Sequence, residues 1–452
     1  MRVLAPLLPL ALPAVLAAEV YQAPSPEPTP DEVLILEYMN RFRADPAADA
    51  LRIAPPGGQV DGVYGDVDFD MFRREMQALT PSPPLVFNLQ LLDAARKHSW
   101  YMVHNGLGHS EEAGKTGFVG VDPGTRCAAA GYTGGGGAEN CYAQTRDAWF
   151  SHIGFVVDFG KGGEGGMQPG RGHRRNMHDP NLREVGAGAV ANGSNLSVTH
   201  NLGDRRGVPR FAGGVVYVDL DRDGFYDVGE GRGGVAITAS DGAKIQTWAS
   251  GAFTIELAST AEVTLQAEAN GQRFRQTFAA GSQNLKFDWI VPQEADLAVA
   301  DRLLADLAKA KDPASPTAFK AQVALYVGTR GLCLDEERAG AVATATSAVA
   351  TQLEAARTAV RAALDGDGKG FRKMVADEAK PFKGTAAAAW FKQVEALHAA
   401  RQAVAAFEQN GAATPTKVRE LVQALESQRD SAKDPDIRAQ FTGLVGRVKA
   451  KG

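Results

Sequence analysis

The spacing of apolar residues divides the chain into three regions after its first thirty residues. In residues 31–205, two stretches carry apolar residues three and four positions apart, DEVLILEYMNRFRADPAADAL and PPLVFNLQLLDAARKHSWYMVHNG. This spacing predicts amphipathic helices. Loops dense in glycine and two runs typical of strands, REVGAGAVA and NLSVTHNL, follow them. Because helices and strands alternate, we expect an α/β layered domain.

Residues 207–291 show the pattern of short strands instead of helices. In EVTLQAEA, the apolar residues Val263, Leu265 and Ala267 alternate with polar residues, which is typical of a half-buried strand. About seven such runs, separated by turn residues, predict a β-sandwich of immunoglobulin-like size.

Residues 293–452 are rich in alanine, leucine, glutamate, lysine and arginine. Stretches such as SAVATQLEAARTAVRAALD have helical spacing and end at glycine or proline signals. They predict an α-helical bundle, and no pattern in this region indicates a catalytic or ligand-binding site.

The first thirty residues have the composition of an export signal and a linker. Residues 1–18 combine Arg2, an apolar run and a small-residue cleavage site, which predicts a signal peptide. Residues 19–30 are rich in proline and predict an extended, disordered linker. We therefore expect an exported protein, extracellular or periplasmic, without a transmembrane segment.

Charge and cysteine content narrow the classes of function. The formal net charge is −5, so there is no electrostatic reason to expect a nucleic-acid partner. Of the three cysteines, Cys127 and Cys141 lie close together in the sequence, while Cys333 is distant. In an oxidising compartment Cys127 and Cys141 are expected to form a disulfide, the alternative being three free thiols.

The stretch DLDRDGFYDVGE has the spacing of a calcium-binding loop. Alternate carboxylates and one backbone carbonyl can surround a hard cation, with Gly224 at the sharp turn. The expected ligands are Asp219, Asp221, Asp223, the carbonyl of Phe225, Asp227 and Glu230. The flanking segments have strand patterns, so the region resembles the B-type repeats of bacterial surface adhesins rather than an EF-hand. The resemblance implies a structural, extracellular calcium ion.

Five stretches occur in a fixed order along residues 31–205: LEYMNRFRADP, KHSWYMVHNGLGHS, GGAENCYA, DAWFSH and GHRRNMHDPNLREVGAGA. In this order they resemble the CAP superfamily of cysteine-rich secretory, antigen 5 and pathogenesis-related proteins, in particular its bacterial secreted branch. The resemblance implies an α-β-α sandwich with a cleft of two histidines and two acids that binds zinc or another divalent ion in some members. By motif, the cleft residues are His109, Glu139 and His173. At the fourth position, where relatives have an acid, this chain has His152.

Three functions remain open from the sequence. The resemblance favours a non-enzymatic extracellular module that binds a lipid, a peptide or an envelope component. A metal-dependent hydrolase with Glu139 as general base is the second, although the chain has no H-E-x-x-H or G-x-S-x-G motif. A structural protein of the cell envelope is the third. We expect Arg126, Asn140 and Asn176 to hydrogen-bond around the cleft, and His98 and His104 to be packing or surface residues.

Overall fold

The computed structural model describes residues 19–57, 60, 63, 67–269, 271–364, 370–409 and 414–450. The predicted signal peptide, residues 1–18, lies outside the described residues. The chain divides into two compact units, Met1–Val291 and Pro292–Gly452. The first two predicted regions thus share one unit, and the boundary expected between them near residue 206 stays a prediction.

The amino-terminal region is built around a four-stranded sheet with the order β1–β3–β4–β2. Its strands are β1 (Val86–Phe87), β2 (Gly135–Thr145), β3 (Glu184–Asn192) and β4 (Asn195–Asp204). β1 is parallel to β3, and the other pairs are antiparallel. β2 is an edge strand that lies in a stretch expected to be loop. Its glycines weaken its intrinsic strand propensity, but pairing along β4 stabilises it nonetheless.

Helices cover both faces of this sheet. They are α1 (Pro30–Ala44), α2 (Pro46–Ile53), α3 (Phe69–Gln77), α4 (Leu89–Asn105), α5 (Pro123–Ala129), α6 (Ala148–Ile153) and α7 (Gly172–His178). A π-helical turn, Gly154–Asp158, follows α6. The three layers agree with the predicted α-β-α arrangement.

Helix α4 lies unusually close to the sheet because β3 has glycines beneath it. A Cβ atom at Gly186 would overlap the backbone at Leu91, and one at Gly188 would overlap the backbone at Arg96. The alternating residues of β3, Val185 and Ala187, face the opposite layer and are fully buried there. The small residues of REVGAGAVA are therefore what allows the helix to pack on the sheet.

The opposite layer contains α1, which begins with a capping box. The Thr29 side chain accepts a hydrogen bond from the Glu32 backbone, and the Glu32 carboxylate accepts one from the Thr29 backbone. Met39 and Phe42 are fully buried against the sheet. This burial of the apolar face is the main source of the helix's stability.

The segment predicted to be a disordered linker is extended, but it is fixed to the domain. The buried Arg96 of α4 donates hydrogen bonds to the carbonyls of Ser25 and Glu27, both at 2.7 Å, and pairs with Glu32. The carbonyl of Glu19 accepts a hydrogen bond from Gly117. The composition of the segment does not reveal the arginine that holds it, so disorder was the wrong expectation.

The middle region consists of two small sheets around an apolar core that includes Phe253, Leu265 and Phe287. Its strands are β5 (Arg210–Tyr217), β6 (Ala236–Ala239), β7 (Lys244–Gln246), β8 (Ala252–Leu257), β9 (Val263–Ala269), β10 (Gln272–Phe278), β11 (Leu285–Lys286) and β12 (Trp289–Ile290). One sheet has the order β10–β9–β6–β7, and in the other β5 pairs with β8, β11 and β12. The immunoglobulin-like topology stays a prediction.

The middle region shares its core with the amino-terminal region. Val215, Tyr217, Tyr226 and Ala252 belong to the same apolar cluster as the buried residues of α1 and β3. Lys286 also donates a hydrogen bond of 3.0 Å to Glu37 of α1. These contacts explain why the two regions form one compact unit.

The carboxy-terminal region is helical, as predicted. Its helices are α8 (Glu294–Ala308), α9 (Pro316–Thr329), α10 (Glu336–Leu364), α11 (Phe371–Ala379), α12 (Ala388–Gln409), α13 (Pro415–Ser431) and α14 (Pro435–Lys449). Leu353, Leu397 and Val448 are fully buried in their common apolar core. None of the described helices has the length and apolar composition needed to cross a membrane.

Candidate functional site

The candidate site lies on both sides of the edge strand β2. Side chains alternate between the faces of a strand, and the pairing of β2 with β4 fixes which face each residue takes. Glu139 and Cys141 pair with Asn201 and Thr199 and lie on the face covered by α4. Asn140 lies on the other face and donates a hydrogen bond to the carbonyl of His173 in α7. The strand therefore joins two groups of polar residues from separate layers.

On the α4 side, the Glu139 carboxylate is the centre of a hydrogen-bonded group. Its Oε1 lies 3.0 Å from Nδ1 of His109, and its Oε2 accepts a bond of 2.7 Å from Nη2 of Arg126. The Asn201 amide, oriented to satisfy its neighbours, donates to the same Oε2 at 3.0 Å. Both carboxylate oxygens are thus engaged.

These contacts determine the charge of the Glu139–His109 pair. Burial would raise the pKa of Glu139, but the hydrogen bond with His109 and the charge of Arg126 outweigh burial and lower that pKa. The hydrogen bond with Glu139 raises the pKa of His109. The carboxylate is therefore held in its ionised form, and the imidazole carries a proton at Nδ1.

His98 extends this group into the interior, although the sequence indicated only packing or exposure. It is fully buried, and its Nε2 donates a 2.9 Å hydrogen bond to the carbonyl of Gly108. Its Nδ1 lies 2.9 Å from Oε1 of Glu111, and its Nε2 lies 3.8 Å from Oε1 of Glu139. Ligand atoms of His98, Glu139 and Cys141 all lie within 4.8 Å of one another.

On the opposite face, His173 is oriented by Asp158, a residue that sequence reasoning missed. One carboxylate oxygen of Asp158 accepts from the backbone N–H of His173 at 3.0 Å, and the other lies 2.7 Å from its Nδ1. Asp158 is fully buried and has a φ of 58°. This left-handed conformation is costly for a residue other than glycine, and such strain is typical of functional sites.

Arg171 and Arg174, one on either side of His173, fix the turn that carries it. Arg174 is buried and donates to the carbonyls of Val156 and Val157 in the π-helical turn. Arg171 and Arg174 both pair with Glu75 of α3. Arg171 and Arg174 therefore anchor the turn that carries His173.

A cavity of about 480 Å³ brings the two histidines to one space. Its lining includes His109, Cys141, Tyr142, Phe155, Phe159 and His173. The His109 side chain is 56% exposed and that of His173 is 22% exposed, whereas Glu139 is buried behind His109. Of the predicted set, His109 and His173 thus line this cavity and Glu139 lies behind His109, while their role as metal ligands stays a prediction.

His152 does not belong to the cavity, and its assignment to the cleft is wrong. Its Nε2 lies 2.7 Å from a carboxylate oxygen of Asp49, which also pairs with Arg41. The ring packs between Trp149 and Tyr38. The buried acid that contacts His173 is Asp158.

Cys127, Cys141 and Cys333 are free thiols in the structure, so the expected Cys127–Cys141 disulfide is not formed. Cys127 lies on α5 and lines a different cavity, near Tyr132. Cys141 lies on β2 with its sulfur 3.6 Å from Nδ1 of His109. The two cysteines thus lie on different elements and line different cavities, which proximity in sequence did not reveal. Burial raises the pKa of Cys127 to about 11 and strongly raises that of Cys141.

The predicted calcium loop is folded around its own carboxylates. Asp219 accepts hydrogen bonds from the backbone N–H groups of Asp223 and Gly224, and Glu230 accepts from those of Leu220 and Asp227. Carboxylate oxygens cluster within 4.8 Å in two groups, one of Asp219, Asp221 and Glu230 and one of Asp221, Asp223 and Asp227. Burial and the neighbouring carboxylates raise the pKa of Asp227.

Comparison with known proteins agrees with this architecture. Residues 36–202 match the model of the CAP family, described as the cysteine-rich secretory protein family. No curated protein matches the chain. A crystal structure of an extracellular protein containing a SCP domain, from Bacillus anthracis str. Ames, is similar at 21% sequence identity with a TM-score of 0.22. The match covers 30% of this chain and 37% of that protein's chain. Residues 36–202 of this chain are therefore a CAP domain.

Proposed function

We propose that this is a secreted protein whose CAP domain is a non-enzymatic binding module. The observation that carries the proposal is the pair of histidines in one cavity, each with its Nδ1 held by a buried carboxylate. Because Glu139 and Asp158 engage Nδ1, the Nε2 of His109 and of His173 is left for a ligand. Tyr142, Phe155 and Phe159 supply apolar walls. A ligand with an apolar body and an anionic group, such as a lipid, a peptide or an envelope component, fits this lining.

A hydrolase with Glu139 as general base is the weaker alternative. A general base needs a free oxygen within reach of water and a pKa near the working pH. Both oxygens of Glu139 already accept hydrogen bonds, and its pKa is lowered. These properties suit an orienting carboxylate better than a base.

A divalent metal ion, zinc in the first place, is proposed for the His109 end of the cavity. Imidazole nitrogen and carboxylate oxygen lie next to each other there, and both are common zinc ligands. Glu139 and His109 would be the first two ligands. When bound, zinc supplies positive charge that attracts an anionic ligand group.

A calcium ion is proposed for the loop of residues 219–230. The donor set fits, since calcium prefers six to eight oxygen ligands and the loop offers the carboxylates of Asp219, Asp221, Asp223, Asp227 and Glu230 with the carbonyl of Phe225. Burial, and after it the charges of the neighbouring carboxylates, raises the pKa of Asp227. Calcium here would stiffen the middle region.

The binding module is tested with a fluorescent fatty acid as the probe. We expect His173→Ala to weaken probe binding about tenfold, because a charge-assisted hydrogen bond contributes roughly 1.4 kcal/mol or more. His104→Ala, which removes an exposed histidine of α4 outside the cavity, is the matched control and should bind normally. Equal binding by both variants would contradict the proposed ligand site.

Turnover is tested on casein and a mixed peptide library with zinc-loaded protein. We expect both substrates to remain intact. Cleavage that disappears in a folded Glu139→Gln variant would establish the hydrolase instead. Elemental analysis of the same protein before and after chelation tests the two proposed ions.

The calcium loop is tested by titration calorimetry. Asp221 contributes to both carboxylate groups, so Asp221→Asn is expected to weaken calcium binding at least about tenfold. Glu262→Gln removes an exposed carboxylate elsewhere in the middle region and should bind as the unmodified protein does. Calcium binding that survives Asp221→Asn would refute the assignment of the loop.

A further inference from the structure

The buried side of β2 carries donors that the predicted cleft did not include. His98, Glu139 and Cys141 are each less than 10% exposed, and they come from α4 and from two positions on β2 with the same orientation. His109 borders them from the cavity side, with its Nδ1 3.0 Å from Glu139 Oε1 and 3.6 Å from Cys141 Sγ. The three buried donors therefore lie within 4.8 Å of one another, and His109 contacts two of them.

Three of the separations between these donor atoms are close to those around a small metal ion. With zinc–nitrogen distances of about 2.0 Å and zinc–sulfur distances of about 2.3 Å, neighbouring ligands of a four-coordinate zinc lie roughly 3.3–3.6 Å apart. The observed separations are 3.0 Å between His109 Nδ1 and Glu139 Oε1 and 3.6 Å between His109 Nδ1 and Cys141 Sγ. The separation between His98 Nε2 and Glu139 Oε1 is 3.8 Å. Nε2 of His98 points at the carbonyl oxygen of Gly108, 2.9 Å away, so ligation requires this ring to turn or the carbonyl to move aside.

The residues behind these donors are those that orient metal ligands in proteins. Glu111 lies against Nδ1 of His98, which leaves Nε2 for the ion, and it is held in place by the backbone N–H groups of Val119 and Gly120. Arg126 engages Oε2 of Glu139 and leaves Oε1 for the ion. A carboxylate behind a histidine and a hydrogen-bonded carboxylate ligand both strengthen metal binding.

The charges of the group also balance with a divalent ion present. Zinc would carry two positive charges and Arg126 one, against the Cys141 thiolate, Glu139 and Glu111. Binding replaces the S–H proton of Cys141, the Nε2–H of His98 and the Nδ1–H of His109 by bonds to the metal. The first two protons go to solvent, and the third is also released or, from a neutral ring, is taken up again at Nε2 of His109. Gly108, which loses the hydrogen bond from His98, is half-buried and can accept one from water. A buried group without net charge avoids the large desolvation cost of an isolated ion.

We propose that the metal ion of the cleft is a thiolate-bound zinc held by His98, Glu139 and Cys141, with His109 as its fourth ligand. This inference rests on the proposed metal at the His109 end and names its ligand set. Thiolate and imidazole select zinc over calcium and magnesium, which prefer oxygen. When Nδ1 of His109 binds zinc, its Nε2 carries the ring proton and donates into the cavity towards an anionic ligand.

The inference is tested with cobalt, which reports thiolate ligands by a charge-transfer band in the near ultraviolet. The chain has three cysteines, so the variant Cys127→Ser/Cys333→Ser has Cys141 as its one thiol. In saturating calcium, which keeps cobalt from the loop of residues 219–230, this variant should bind one cobalt per chain and show the band. Added zinc should abolish the band. Cys141→Ser, with Cys127 and Cys333 intact, should lack it.

Two other outcomes distinguish this ligand set from the proposal on which it rests, that a metal ion binds at the His109 end of the cavity. Stoichiometric cobalt binding that depends on His109 but gives no thiolate band would overturn the Cys141 ligand and leave the proposed metal intact. Absence of stoichiometric binding in the unmodified protein and in the Cys127→Ser/Cys333→Ser variant would overturn both. Because the band is read in a chain that keeps Cys141, a folding defect of Cys141→Ser does not obscure the result.

Discussion

At the scale of single residues, the cavity depends on buried polar groups in costly conformations. Asp158 adopts a left-handed backbone conformation and uses both carboxylate oxygens on His173. The conformational cost is of order 1 kcal/mol, whereas losing both hydrogen bonds would leave buried groups unsatisfied at roughly 1–3 kcal/mol. The hydrogen bonds therefore outweigh the strain.

Two substitutions separate these effects. Asp158→Ala keeps the backbone strain and removes the carboxylate, so we expect a loss of about 2–3 kcal/mol in the free energy of unfolding. Asp158→Gly removes the carboxylate and also the strain, so it should cost about 1 kcal/mol less than Asp158→Ala. Urea denaturation measures the free energy of unfolding of both variants. Equal losses in this free energy would mean that the backbone at Asp158 is not strained.

His200 is a second buried polar residue, and it makes the stability depend on pH. Neither ring nitrogen has a hydrogen-bond partner in the described structure, and the ring packs on Phe155. Burial, with the nearby His152 and His173, lowers the pKa of His200 to about 3. In the unfolded chain a histidine titrates near 6.5, so between those values the unfolded state binds the proton more tightly.

Stability should therefore fall as the pH drops below about 6.5, by about 1.4 kcal/mol per pH unit from this residue. At pH 5 the loss is about 2 kcal/mol relative to pH 7. His200→Leu should remove this part of the pH dependence, and His104→Leu, at an exposed histidine, should retain it. Urea denaturation at the two pH values provides the measurement; parallel curves for all three proteins would contradict the prediction.

The sequence predicts some residues of the candidate site, and there is a physical reason why it does not predict the others. His109, Glu139 and His173 lie in motifs with distinctive neighbours. Asp158 lies in GFVVDFG, where nothing marks it as a partner of a residue fifteen positions later. Cys141 and His98 meet only through the register of β2 and the close approach of α4, which no local pattern encodes. His152 was assigned from a tryptophan spacing, and the glycine-rich insertion before His173 breaks that alignment.

At the scale of elements, the packing of α4 on β3 determines where His98 lies relative to Glu139 and Cys141. Periodicity predicts α1 and α4 well, because burial of one apolar face dictates their sequences. The sequence does not predict the glycine-rich strand β2, because its strand conformation comes from pairing with β4. The position of α4 relative to the sheet depends on the glycines of β3.

Gly186→Ala should therefore destabilise the first unit by at least about 3 kcal/mol, because backbone atoms of α4 cannot move aside as a side chain would. Gly207→Ala is the matched control: a Cβ there meets open space and the backbone needs no left-handed φ, so the change should stay within about 0.5 kcal/mol. Thermal unfolding distinguishes the two, and similar midpoints would show that α4 can shift.

At the scale of the whole molecule, the first unit links the loop of residues 219–230, the proposed calcium site, to the CAP domain. The Phe225 ring, next to the carbonyl proposed to bind calcium, stacks on Tyr38 of α1 at 5.3 Å. Arg41 lies over Phe225 and pairs with Asp49, which holds His152. The loop is therefore connected to α1 and α2 through side chains that contact one another directly.

Calcium is accordingly expected to slow hydrogen exchange in α1 as well as in the loop. Phe225→Ala should keep the protection of the loop and lose that of α1. Leu220→Ala, at an exposed residue of the same loop, should behave as the unmodified protein does. Hydrogen-exchange mass spectrometry with and without calcium is the measurement, and calcium protection of α1 that persists in Phe225→Ala would rule out this route.

The shared core of the first unit also has a mechanical consequence. Since Tyr217, Tyr226 and Ala252 are embedded among residues of α1 and β3, tension applied between residues 30 and 291 meets no weak joint that could open first. Stretching by optical tweezers would then release both regions in a single rupture, with a gain in contour length of roughly 900 Å, where two independent modules would give two shorter steps. A protein tethered at a surface would resist shear as one body over this length of chain.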